Sequence, residues 1–113
     1  NDADTLQIRA AWPPVYEQHH VDMVFNGHDH DFEVTHPLRG DGTVAPTGTP
    51  GTVYFTAAGA GAQLYPSGMS PFTAYSESVV NFVLLHATAT TLEATPHRLD
   101  GSQIAGGHVL LTR

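Results

Sequence analysis

The stretch Val21-Asp22-Met23-Val24-Phe25-Asn26-Gly27-His28-Asp29-His30-Asp31-Phe32-Glu33 decides how this chain is read. An apolar run, broken only by Asp22, stops at Gly27 and is followed by two histidines one residue apart. Continuous rather than alternating hydrophobicity predicts a strand over 21–25 that is buried on both faces of a parallel sheet. In open α/β sheets ligands lie beyond the carboxyl ends of the strands, where the loop after Gly27 would emerge. Neutral imidazoles offered from such a loop suit a metal ion. His28 and His30 are therefore the candidate metal ligands, although a His-x-His pair alone also fits surface or core histidines. Asp29 and Asp31 are either acceptors that orient the imidazoles or solvated acids of the loop.

The same block resembles the last conserved block of the calcineurin-like metallophosphoesterases. The likeness is greatest to the purple acid phosphatase branch, where Gly-His-x-His is followed by an aromatic residue and Glu-Arg. Gly27-His28-Asp29-His30 keeps that motif, while Phe32 stands in place of the usual tyrosine and Val34 in place of arginine. Downstream, Gly51-Thr52-Val53-Tyr54-Phe55-Thr56-Ala57-Ala58-Gly59-Ala60-Gly61 is similar to the strand and glycine-rich loop of that branch. Residues 76–104 resemble its closing antiparallel strands.

The resemblance implies an α/β (α+β) fold, the C-terminal half of a four-layer αββα sandwich with mixed and antiparallel strands and few helices. Residues 1–113 would be the C-terminal portion of a single metallophosphoesterase domain. Its implied activity is acid phosphatase-like phosphomonoester hydrolysis at a dinuclear centre of two metal ions (Fe, Zn or Mn). His28 would bind one ion and His30 the other. The family's Asp-x-His, Gly-Asp-x-x-Asp and Gly-Asn-His motifs lie upstream of this block; none occurs here, and Gly40-Asp41-Gly42 does not match. The implied partner is thus an N-terminal half of the same enzyme that carries the remaining ligands, and the implied substrate is a small phosphate ester. Without that partner the chain is expected to be inactive. Beyond the two ligands no residue is given a catalytic role, and the substrate-binding residues are not identified. Phosphodiesterase or nucleotidase activity on the same scaffold is one alternative, and a non-catalytic β-rich binding module holding one ion is another. Members of the branch are commonly exported, so a secreted or periplasmic location is expected.

Composition bounds the remaining classes. A chain of 113 residues with 41% hydrophobic content can form one small domain with a core. Eleven acidic residues face four arginines and no lysine, for a net charge of −7. Such a surface repels polyanions, so binding to nucleic acid or to acidic membranes is not expected. A phosphate would need a local cation to approach it, and bound metal is the obvious one. The absence of cysteine removes disulfides, thiolate zinc sites and cysteine nucleophiles together. No apolar stretch approaches membrane-spanning length, no signal-peptide pattern is present, and no Gly-x-Ser-x-Gly elbow supports serine hydrolysis.

Along the chain, Ile8, Ala11, Trp12, Val15 and Tyr16 recur at helical spacing after Thr5, with a break or kink expected at Pro13 and Pro14. His19 and His20 fall at the C-terminal end of that helix, where their interaction with the helix dipole is preferred to a ligand role. Residues 37–51 hold glycine, proline and aspartate in a pattern of turns and irregular loop. Residues 52–58 alternate, with Val53, Phe55 and Ala57 on one face, and read as a half-buried strand. A longer apolar strand is expected over 78–88, and another over 91–99 whose far half Pro96 restricts to an edge. Asp100-Gly101 signals a turn into a final strand within 103–111. The strands from Thr52 onward are expected to be antiparallel. Gly59-Ala60-Gly61-Ala62 could cradle phosphate with its backbone amides but reads better as a tight turn. His36, His86, His97 and His108 form no pattern and are given no role.

Overall fold

The computed structural model describes residues 3–27, 30–58, 63–64 and 68–112. Helix α1 (Ala3–Gln18) leads into β1 (Met23–Asn26), β2 (Phe32–Thr35), β3 (Val53–Ala57) and β4 (Thr73–Glu77). The chain continues with β5 (Asn81–Ala87), β6 (Thr91–Arg98), a short 3₁₀ turn (Ala105–Gly107) and β7 (Val109–Thr112). The first four strands form a mixed sheet in the order β1-β3-β2-β4, and the last three form an antiparallel sheet in the order β5-β6-β7. β1 runs parallel to β3, and β2 runs antiparallel to both β3 and β4.

Alternation on the strands explains how the layers stack. Val53 and Phe55 of β3 and Phe32 and Val34 of β2 turn to one face, where they pack with Ala94 of β6 and with Ile104 into a single core. Tyr54, pointing the other way, meets Tyr16 of α1 at a ring-centroid distance of 6.2 Å. The result is a helix, a mixed sheet and an antiparallel sheet in three layers. The expected α+β class, with mixed and antiparallel strands and few helices, is the one observed. Residues 37–51 are irregular as expected, pinned by buried Leu38, which bridges Val44 and Thr52.

Several local expectations are corrected. The helix runs unbroken through Pro13 and Pro14 although both lack a backbone donor. Packing compensates: Tyr16 meets Tyr54 of β3, and Gly40 lies so close that a Cβ on it would be 2.9 Å from the Cα of Pro14. The helix ends in a Schellman arrangement. The Val21 amide donates to the Tyr16 carbonyl at 3.0 Å and the His20 amide to the Glu17 carbonyl at 3.2 Å. His20 takes the left-handed position with φ 55°, a place that glycine usually fills.

β1 is not buried on both faces. It lies at a sheet edge with β3 alongside, and Phe25 is 42% exposed even though its ring stacks on Phe55 at 4.9 Å. Full burial would require a second neighbouring strand, and none is supplied among the described residues. β3 is parallel to β1, so the strands after Thr52 are not all antiparallel. The strands β2 and β4 were not expected, and the strand predicted over 78–88 begins only at Asn81.

Pro96 lies in the middle strand of the second sheet, yet the β6–β7 pairing ends at Ala94. Its carbonyl instead accepts the Ile104 amide at 2.9 Å, so the far half of β6 is at an edge toward β7 as expected. The 3₁₀ turn between Ile104 and β7 packs tightly onto the first sheet. A Cβ on Gly107 would come within 2.5 Å of the Phe32 ring, and one on Gly106 within 2.5 Å of the Tyr75 ring.

Candidate functional site

β1 carries the chain to Asn26 at the carboxyl end of a parallel strand pair, and the exposed Gly27 opens the loop that returns as β2. His28 and Asp29 lie outside the described residues. So do Gly59, Ala60, Gly61 and Ala62 of the glycine-rich segment after β3.

His30 is half-buried, and its Nδ1–H donates to the carbonyl of Gln63 at 2.6 Å. A carbonyl can only accept, so this bond places a proton on Nδ1, which in a neutral imidazole leaves the lone pair on Nε2. Ligating histidines are commonly fixed in this way, with one nitrogen held by an acceptor and the other directed at the ion. Gln63 lies in the connection from β3 to β4, so the segment following the glycines returns to the histidine loop.

Asp31 is buried at 8% exposure and is not a solvated loop acid. Its carbonyl accepts two donors, the Ala58 amide at 3.2 Å and the Asn81 side-chain amide at 3.3 Å. Asn81 is 1% exposed, and Nδ2 also donates to the Val79 carbonyl at 2.9 Å. Its Oδ1 is buried without a hydrogen-bond partner among the described residues. Sequence reasoning missed Asn81; the only signal was a lone amide opening an otherwise apolar strand.

Glu33 points to the opposite face of the sheet and accepts the Thr73 hydroxyl. It lines a cleft of about 540 Å³ bounded by Trp12, Tyr16, Tyr54, Asn26 and Asp41. Burial pushes the Tyr54 hydroxyl pKa up, reinforced by Tyr16 and Glu17, so Tyr54 remains a neutral phenol there. Among the described residues no group of three histidine, aspartate or glutamate side chains converges on a point that could hold a metal. Of the other histidines, His97 stacks on Phe82 at 5.2 Å, and His108 meets Glu93 at 2.6 Å.

No family model matches the chain. Among solved structures it is similar to a purple acid phosphatase isolated from yellow lupin (Lupinus luteus) seeds, with a TM-score of 0.73 and 19% identity. That match covers 94% of this chain and 19% of the lupin chain, and at this identity it shows a shared fold. Two uncharacterised proteins of Mycobacterium tuberculosis are each 48% identical over 40 residues, which is 35% of this chain. The match spans 8% of the length of those relatives.

Proposed function

We propose that these residues belong to a metal-dependent phosphate ester hydrolase, acid phosphatase-like in type, and supply His28 and His30 as ligands to two metal ions. Asp29 and Asp31 would shape the loop around those ligands. The other ligands would come from an N-terminal half of the same enzyme, and the substrate would be a small phosphate ester.

The observation that carries this reading is the His30 Nδ1–H bond to Gln63, which puts the ligating lone pair on Nε2 at the carboxyl end of a parallel strand pair. The fold shared with a purple acid phosphatase supports it. Bound cations would supply the positive charge that a chain of net charge −7 lacks, and would activate water for attack on phosphorus. The chain's own part would be to present the two imidazoles from a loop between two strands of the sheet.

The test is His28→Ala and His30→Ala in the full-length protein, read by metal content, phosphomonoesterase turnover and melting temperature. Metal content and turnover should collapse while the melting temperature of the metal-free protein stays within a few degrees of wild type. Near-normal turnover and metal content in both variants would sink the reading. Parallel rates on a phosphodiester would separate the monoesterase from the diesterase alternative.

A further inference from the structure

Asn81 is a primary amide placed where the core calls for a hydrocarbon. It opens β5 in the second sheet, lies in the chain between Val79 and Val83, which pack against the core, and is almost completely removed from solvent. A leucine there would simply enlarge the core. The amide instead leaves Oδ1 buried without a partner among the described residues, a cost that folded proteins seldom carry without a compensating use.

Its use is visible in what Nδ2 reaches. Across a sequence separation of 50 residues, and from one sheet to the other, it donates to the Asp31 carbonyl, in the peptide group that joins Asp31 to Phe32 one residue beyond His30. The Ala58 amide occupies the second lone pair of that carbonyl. On the far side Phe32 is fully buried under the Ala105–Gly107 turn. His30 is thus held through its ring by Gln63, while the residue after it, Asp31, is fixed by a carbonyl that Ala58 and Asn81 clamp together.

Resting on the ligand reading of His30, we infer that Asn81 is a positioning residue for the metal loop: its Nδ2–Asp31 bond sets the attitude of the His30 imidazole from the opposite sheet. It touches neither metal nor substrate and acts through the loop backbone.

The experiment is a titration of the metal-free full-length protein with Zn²⁺ or Mn²⁺, with a thermal melt of the same metal-free sample. Asn81→Leu matches the side chain in size and removes the unpartnered acceptor together with the donor to Asp31 and Val79, so the melt of the same sample is the control against which its metal affinity is read. Its metal-binding midpoint should weaken by about 10- to 100-fold, the usual effect of losing a group that orients a ligand. Asn81→Ser, too short to span to Asp31, should show the same weakening and decides the matter if the leucine variant does not fold. Wild-type metal affinity in a folded Asn81 variant overturns the inference, as does a loss of affinity no larger than the loss of folded protein. His30→Ala separates the two levels of the argument. If it too leaves the midpoint unchanged, the ligand reading has failed; if it weakens binding while Asn81→Leu does not, only the positioning role has failed.

Discussion

Arg98 grips Glu77 with two hydrogen bonds that join the sheets, Nε to Oε2 at 2.6 Å and Nη2 to Oε1 at 2.7 Å. Glu77 ends β4 in the first sheet and Arg98 ends β6 in the second, and the Tyr75 hydroxyl donates to the same carboxylate at 2.6 Å. Arg98, then Tyr75, hold the Glu77 carboxyl below the ordinary glutamate value. A depressed folded pKa contributes stability that is present above the unfolded value, ~4.3, and is lost as pH falls through the folded one. Glu77→Gln should therefore flatten the acid limb of the stability-versus-pH curve below pH ~4.3, as followed by urea unfolding at stepped pH. Arg98→Ala should lower stability at neutral pH and weaken the same acid limb, since it removes the charged, bidentate partner of Glu77. An acid limb identical to wild type in Glu77→Gln would refute the assignment.

Gly107 is a point of close approach between the layers. Any side chain there meets the Phe32 ring at 2.5 Å and the Pro96 ring at 3.0 Å. Because Phe32 is fully buried it cannot swing aside, so Gly107→Ala should destabilise by roughly 2–3 kcal/mol, within the range for overpacked cores. Chemical denaturation measures this directly, and a loss under about 0.5 kcal/mol would mean that the turn shifts freely.

His20 takes a left-handed backbone conformation at the end of α1, a conformation that strains any residue with a Cβ. His20→Gly should raise stability by about 0.5–1 kcal/mol, because the relief exceeds the extra entropy of glycine in the unfolded chain. A destabilised variant would show that the His20 side chain contributes more than its backbone costs.

Residues 1–113 expressed alone should self-associate and show no phosphatase activity. β1 and β5 border the sheets among the described residues, and Phe25, Leu84 and Leu85 on them are 42%, 59% and 53% exposed. Unpaired apolar edges recruit further strands. Leu84→Lys should reduce the associated fraction in sedimentation without lowering the melting temperature by more than a few degrees. A wild-type chain that sediments as a monomer at high micromolar concentration would contradict the expectation.

The sequence by itself determined what depends on local periodicity and local chemistry. The alternation of Val53, Phe55 and Ala57 located β3 and its buried face, and the glycines and prolines of 37–51 marked the irregular loop. Asp100-Gly101 marked the turn that the Gly101 and Ser102 bonds to Arg98 close. His30 was legible as a ligand candidate because its cue, a strand followed by Gly-His-x-His, lies within a few residues. The tertiary structure decided what depends on partners distant in the chain. β2 and β4 were not legible along the chain and exist because each finds a ladder partner in the other and β2 a second one in β3. The helix survives two prolines because Tyr16 packs on Tyr54, and β1 is exposed because burial depends on neighbours rather than on its own apolar residues. Asn81 meets Asp31 only after the two sheets close, and a hydrogen bond across 50 residues leaves no periodic trace in the chain that forms it.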